Sequence, residues 1–261
     1  MLEPRLEQIQ KLLFTSGHVT VQDLAMNTQS SAATVRRDLE RLEGLGLVTR
    51  TRGGARLAQT SGAEIAFQAR EHQEVGYKRA IAASAYKLLR PGSNVLLDAG
   101  TTVLQLARLI RRNPLPLTVI TNSIPVIQEL LGIAQVKLFV LGGQLRSENL
   151  SSVGVYAEDA LRRFWAEQLF LGSNAVHLDH GLSSFDALEA SINAVMLERS
   201  ETRILLSDSS KFGARALHHV APLQSLHRII TDQRLSKIWK SAPQLGGVQL
   251  ETVQLETVEA T

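Results

Sequence analysis

Twenty-five residues near the amino end, Ser31 to Ala55 (SAATVRRDLERLEGLGLVTRTRGGA), constrain the fold of this chain more than any other stretch. Val35, Leu39 and Leu42 recur at i, i+4 and i+7 and form one apolar stripe, so the first half reads as an amphipathic helix. Ala33, Arg37 and Arg41 fall on the opposite side of the wheel. A small residue and two guanidinium forks on one solvent face suit a helix lying in a DNA major groove, where bulk must be low and base edges must be reached. Gly44 and Gly46 are stop signals for that helix. Leu47 to Thr51 then alternates like a strand, Arg52-Gly53-Gly54 reads as a tight turn, and Ala55-Arg56-Leu57 returns as a partner strand. Helix, hairpin and basic tip describe a winged helix-turn-helix. An ordinary amphipathic helix with solvated arginines would share the stripe, but the upstream chain also fits the DNA-reading module.

Upstream, Leu6, Ile9, Leu12 and Leu13 mark a first helix ending near Gly17, and His18 to Val21 is a short extended piece. Thr20 can cap a second helix carrying Leu24 and Ala25, with Asp23 in its first turn. A polar turn leads to Ser31, a good cap for the third helix. Three helices and a hairpin in under sixty residues make an independent reading head. Its charge is local: residues 1–58 hold eight Lys and Arg against six Asp and Glu, and no acid lies between Gly44 and Ala63. The expected DNA-contacting set is Ser31, Ala33, Thr34, Arg36, Arg37 and Arg41 on the helix, with Arg50 and Arg52 at the wing against phosphate or minor groove. Arg36 has an alternative, pairing with Asp38 or Glu40.

These residues carry a resemblance. VTVQDLA followed by SSAATVRRDLERLEGLGLVTRTRGGA is similar to the amino-terminal domain of DeoR-type bacterial transcriptional regulators. That resemblance implies a double-stranded operator as partner.

The remainder reads as α/β. Residues 58–76 look like a linker, small and polar and then charged. From Lys78 a helical face of Ile81, Ala85, Leu88 and Leu89 runs to Pro91-Gly92. Strands are then expected at 94–98, 117–121, 136–141, 168–172, 203–208 and 228–231, and helices at 102–112, 124–131, 155–164 and 187–200. Such a series predicts a mostly parallel sheet covered on both faces. The expected layout is a winged helix-turn-helix over 1–57, a linker over 58–76, a parallel-sheet domain over 77–240 and a tail over 241–261. In that tail VQLETVQLETVE repeats a five-residue unit, one copy of which could form an edge strand.

Loops after parallel strands share one sheet edge, where ligands bind. Here those loops are Asp98-Ala-Gly-Thr-Thr102, Thr121-Asn-Ser123, Gly142-Gly-Gln-Leu-Arg146, Gly172-Ser-Asn174 and Asp208-Ser-Ser-Lys211. Gly100 lets backbone amides approach an anion, and Thr101 and Thr102 open a helix whose first N–H groups favour phosphate. Arg146 and Lys211 add charge, Asp98, Asn122 and Ser123 suit sugar hydroxyls, and Asp208 suits either those hydroxyls or the orientation of Lys211. The chemistry points to a phosphorylated sugar or polyol. Each group also has a plainer role, Asp98 as a turn cap, Gly142-Gly143 as a turn and Lys211 as a solvated lysine.

The resemblance extends over VLLDAGTTV, VITNSIPV, LGGQLR, Gly181-Leu-Ser-Ser184 and ILLSDSSKFG, which look like the DeoR-type effector domain. It implies a fold like sugar-phosphate isomerases and CoA-transferases, and an effector site of Asp98, Gly100, Thr101, Thr102, Asn122, Ser123, Gly143, Arg146 and Lys211, with Lys78 of the K-x-x-I-A pattern added. It further implies a regulator, usually a repressor of a sugar operon, acting as a dimer or tetramer. Two positions depart from the family: Glu167 stands where Asp is usual, and Asn193 where Lys is usual.

Composition bounds the rest. Without cysteine there is no disulfide or thiol chemistry, and no apolar run approaches membrane length. MLEPRLEQIQ has acids and no apolar block, unlike a signal peptide, so a cytoplasmic protein is expected. His177-Leu-Asp-His180 has metal-like spacing without companions, so neither a metal nor a cofactor is expected. The competing reading is an isomerase-like or CoA-transferase-like enzyme fused to a DNA reader, with Glu189 or Asp208 as base. No catalytic set stands out, and the expectation is that the chain is not an enzyme.

Overall fold

The computed structural model describes residues 4–16, 18–44, 48–57, 67 and 70–255. The expected stops at Gly17 and Gly46, residue Leu47 and most of the 58–76 linker lie outside them. The chain forms two compact units, the first holding the amino-terminal elements and the second beginning at Glu74.

In the first unit α1 (Pro4–Ser16), β1 (His18–Thr20), α2 (Val21–Asn27) and α3 (Ala32–Gly44) precede a hairpin of β2 (Val48–Thr51) and β3 (Gly54–Leu57). Leu6, Ile9, Leu13, Leu24, Val35, Leu39 and Leu42 meet in one core, joined by Val19, Val48 and Ala55 of the strands. The caps are where side-chain chemistry puts them: Thr20 Oγ1 accepts from Asp23 N at 3.2 Å, and Ser31 Oγ accepts from Thr34 N at 3.1 Å. β3 lies between β1 and β2, antiparallel to both. Gly54 makes that arrangement possible, since a Cβ there would collide with the Val19 carbonyl oxygen and press on Thr20 Cα. Gly54→Ala is therefore expected to destabilise this unit by about 1–3 kcal/mol. Faster amide exchange in α3, with the tryptophan-monitored transition of the second unit unchanged, is the readout. Unchanged exchange would show that β1 yields freely.

The second unit is built on seven parallel strands in the order β15-β14-β12-β9-β4-β5-β6. These are β4 (Asn94–Leu97), β5 (Leu117–Thr121), β6 (Val136–Val140), β9 (Ala166–Leu171), β12 (Ser200–Leu206), β14 (Arg228–Asp232) and β15 (Gln249–Val253). The first copy of the repeated tail unit supplies β15. α4 (Val75–Tyr86) packs on α5 (Thr101–Arg112), β14 and β15, while α5 packs on α6 (Ile124–Leu130). α7 (Val155–Leu161) packs on α8 (Ala187–Glu198), which also covers β9 and β12.

The chain steps from β4 to β5 to β6 in one direction, then returns to β9 on the other side of β4 and continues outward. With right-handed crossovers, that reversal puts helices on both faces and opens a switch point between β4 and β9. Short pieces escaped the sequence reading: the hairpin β7 (Gln144–Arg146) with β8 (Ser151–Val153), and a small sheet of β10 (Ala175–His177), β11 (Gly181–Ser184) and β13 (His218–Ala221). Among the described residues no helix is long and apolar enough to cross a membrane.

Candidate functional site

On α3 the apolar stripe is buried, while Ser31, Ala33, Arg36, Arg37, Glu40 and Arg41 are exposed and Thr34 is half-buried. The acids of this helix are engaged elsewhere. Asp38 is buried and takes a two-pronged contact from Arg5 of α1, at 2.7 Å from Nε and 3.1 Å from Nη2. Glu40 Oε1 lies 3.1 Å from Arg50 Nη1, and Glu43 Oε1 accepts from Arg50 N at 3.2 Å. Arg36 therefore pairs with neither Asp38 nor Glu40. Among the described residues Arg36, Arg37 and Arg52 carry no ion pair, and Arg36, Arg50 and Arg52 line a groove of about 540 Å³ with Thr20, Gln22 and Gly53. Arg50, expected at the wing against phosphate or minor groove, also braces β2 against α3 with its guanidinium, because Glu40 and Glu43, three residues apart, share the helix side that β2 runs beside.

The second unit brings its polar loops to the switch point. Asp98 follows β4, is 5% exposed, and accepts a hydrogen bond from Gly172 N after β9 at 2.9 Å. The two loops run close together, and a Cβ on Gly172 would press on Asp98 Oδ2 at 3.3 Å. Gly100 is the N-cap of α5, with Thr101 and Thr102 in its first turn. Burial, and next the negative charge of Glu189, push Asp98 up to about 7, against the pull of the Gly172 and Ala99 amides.

Asn122 and Ser123 follow β5. Asn122 Nδ2 donates to Ser152 O at 2.9 Å, and its Oδ1 is buried with no hydrogen-bond partner among the described residues. Ser123 caps α6 through Val126 N. Gly143 has a packing reason to be glycine, since a Cβ there would lie 2.6 Å from Val153 O. Arg146 sits 3.5 Å from Asp186 and 3.6 Å from Glu189. Glu189 Oε2 also accepts from Ser184 Oγ at 2.8 Å and Asn174 Nδ2 at 3.0 Å.

Asn174, Ser184, Asp186 and Glu189 thus join Arg146 in one network, whose Glu189 charge is felt at Asp98, and sequence reasoning had not assembled it. Glu189 was singled out only as a conceivable base, and the Gly181–Ser184 turn only as part of the resemblance. Lys211 follows β12, half-buried, two strands from β4 and so about 10 Å across the sheet. Asp208 does not orient it: Asp208 Oδ1 caps its own turn through Ser210 N at 3.1 Å. Lys78 is buried on α4.

The two departures sit differently. Glu167 Oε1 accepts from Asn94 N at 3.2 Å, at the amino-terminal edge of the sheet, opposite the crevice. Asn193 is one helical turn after Glu189 on α8, is 5% exposed, and has no hydrogen-bond partner for Oδ1 among the described residues. The rings of His177 and His180 lie 4.7 Å apart, tilted by 44°, with Arg215 Nη1 at 3.0 Å from His180 Nε2. Among the described residues no group of three His, Cys, Asp or Glu could hold a metal.

A capped reading helix with exposed arginines, followed by an open parallel sheet with a polar crevice at its switch point, defines the class: a DNA-reading regulator with a second, ligand-receptive unit. The chain belongs to the DeoR family. Residues 5–61 match the DeoR-like helix-turn-helix domain and residues 73–233 the DeoR C terminal sensor domain.

Its relatives include the lactose phosphotransferase system repressor of Streptococcus mutans, 36% identical and covering 90% of this chain and 96% of that one. They also include the HTH-type transcriptional regulator GlpR of Haloferax volcanii (34%, covering 94% and 95%) and the HTH-type transcriptional repressor CsqR of Escherichia coli (32%, covering 95% and 94%). Among solved structures, ribose 5-phosphate isomerase A of Methanocaldococcus jannaschii aligns over 52% of this chain and 53% of that one at 18% identity and a TM-score of 0.38, too loose a likeness to argue from.

Proposed function

We propose that this chain is a transcriptional repressor of a sugar or polyol utilisation operon, and that a phosphorylated sugar or polyol controls it through the crevice between β4 and β9. The observation that carries the reading is the engagement of every acid on α3: Asp38 is held by Arg5, and Glu40 and Glu43 by Arg50, so Arg36 and Arg37 face outward unneutralised. Such a face needs an anionic partner with readable edges, and duplex DNA is one. The relatives are named as regulators, which sets the chain with regulators rather than with enzymes fused to a DNA reader.

The crevice supports the effector. The α5 amino terminus offers backbone N–H groups to a phosphate, Lys211 and Lys78 add cations, and the buried Asn122 Oδ1 suits a hydroxyl donor. A symmetric assembly, a dimer or tetramer, would present two copies of α3 to successive major grooves of a palindromic operator in the cytoplasm. Effector binding shifts operator affinity by its difference in affinity for two states, about 1–3 kcal/mol.

A thermal-shift panel tests the reading, using a pentose 5-phosphate, a ketohexose 6-phosphate, an amino-sugar 6-phosphate, glycerol 3-phosphate and the unphosphorylated parents. A true effector at a hundred times its dissociation constant stabilises the sensor unit by about 2.7 kcal/mol. Equal silence from phosphorylated and unphosphorylated compounds would remove the effector from the proposal.

A further inference from the structure

One network of the second unit lies behind the Asp208–Lys211 turn and uses neither Asp98 nor Arg146. Asp232, at the carboxyl end of β14, is fully buried. Its Oδ2 accepts from Ser209 N at 2.7 Å and its Oδ1 from Ser209 Oγ at 2.9 Å. Arg234 Nε donates to the same Oδ1 at 2.9 Å, and Arg234 Nη2 lies 2.8 Å from Glu74 Oε2. The Arg234 guanidinium also sits 3.8 Å over the ring of Tyr77.

Both ends of this chain of contacts matter. Ser209 opens the turn that carries Lys211, directly after Asp208. Glu74 is the first residue of the second unit and the N-cap of α4, the helix that carries Tyr77 and Lys78. Glu74 sits in the left-handed region at φ 55° and makes no side-chain cap hydrogen bond, its carboxylate being turned to Arg234. An ion pair as exposed as Arg234–Glu74 contributes little alone. Here one end is fixed by a buried carboxylate and the middle by an aromatic face, so the pair is held in one geometry. Burial would push Asp232 up, but the bonds from Arg234 and Ser209 hold it below the usual carboxylate range.

We propose that Arg234 is a positioning residue that clamps the 208–211 turn to the first turn of α4, so that a ligand gripped by that turn is felt at Glu74, where the chain leads back to the reading head. The proposal rests on the effector reading above for its purpose, not for its mechanics. Arg234 holds in register the two segments that carry Lys78 and Lys211.

Hydrogen exchange on the full-length protein tests the clamp without any ligand. Glu74→Gln is expected to raise exchange in a peptide containing residues 209–212 by about threefold or more, and Ser209→Ala to do the same for residues 75–80. Arg234→Gln should loosen both, and Arg234→Lys should fall between it and the parent. Changes confined to each variant's own neighbourhood overturn the clamp.

Adding the phosphate esters one at a time then separates the two ideas. In the parent an effector should protect both peptides; in Glu74→Gln it should protect residues 209–212 as before and residues 75–80 less than in the parent, what remains there being direct contact through Lys78. An ester that protects both peptides equally in parent and variant also overturns the clamp. If no ester protects residues 209–212 in the parent, the effector reading fails, while the reciprocal exchange still decides on the clamp.

Discussion

Asp98→Asn is expected to stabilise the sensor unit by up to about 4 kcal/mol at pH 8 and to do almost nothing near pH 4. Asp98 is buried, and its folded-state value of about 7 lies roughly three units above the ordinary 3.8. Each unit corresponds to about 1.4 kcal/mol. A carboxyl raised in the folded state favours folding only while protonated, so its contribution is present at low pH and lost as pH climbs from about 4 to about 7. Asparagine keeps an acceptor for Gly172 N and removes the charge that Glu189 opposes.

Urea titrations at several pH values, followed by tryptophan fluorescence, provide the measurement. Trp165 and Trp239 both belong to the second unit, so the signal is blind to the reading head. Parallel stability curves for parent and variant across that range would refute the assignment. A buried carboxylate that weakens its own fold is a signature of a functional site. If a sugar hydroxyl donates to it, effector affinity in the parent should rise between pH 6 and 8 more steeply than in Asp98→Asn; titration of the phosphate itself is common to both and cancels.

How much of this was legible in the sequence depended on the range of the interactions. The caps at Thr20 and Ser31 and the stripe of Val35, Leu39 and Leu42 are local, and the structure has them where the spacing put them. The strand-then-loop alternation is also local, and it brought Asp98, Asn122 and Asp208 to one edge. What the spacing does not encode is which strands become neighbours. The meeting of Asp98 with Gly172 follows from β9 returning beside β4, and the two residues are 74 positions apart.

Charge partners were hidden for the same reason. Arg5 and Asp38 are separated by 33 residues, and Arg146 meets Asp186 and Glu189 only because a hairpin of three-residue strands folds toward α8. Strands that short carry no readable period. The resemblance puts Gly143 in the effector site and its spacing allows a plain turn; the structure adds a packing reason that spacing does not carry, the Val153 carbonyl oxygen lying where a Cβ would be.

Replacing Arg36 and Arg37 together with alanine should weaken operator binding by about 2–5 kcal/mol, from roughly thirtyfold to several thousandfold. Arg37→Ala alone should lose about 1–3 kcal/mol and relax discrimination at one base position. Both side chains are exposed on α3 and have no ion partner among the described residues, so no fold contact is lost with them.

Arg50→Ala supplies the contrast. Its guanidinium is tied to Glu40 and Glu43, so its removal exposes two acids on the very face that must approach phosphate. The loss should be similar for operator and random duplexes and should shrink as salt rises, because it is electrostatic. Glu40→Gln in the Arg50→Ala background should restore part of it. Binding to a duplex selected from a randomised pool, measured at two salt concentrations beside a scrambled duplex, distinguishes the two arginine roles. If Arg37→Ala lost as much on scrambled as on selected DNA, α3 would be holding the backbone and the base-reading assignment would have to move to the wing, where Arg52 and Arg56 are exposed and carry no ion pair among the described residues.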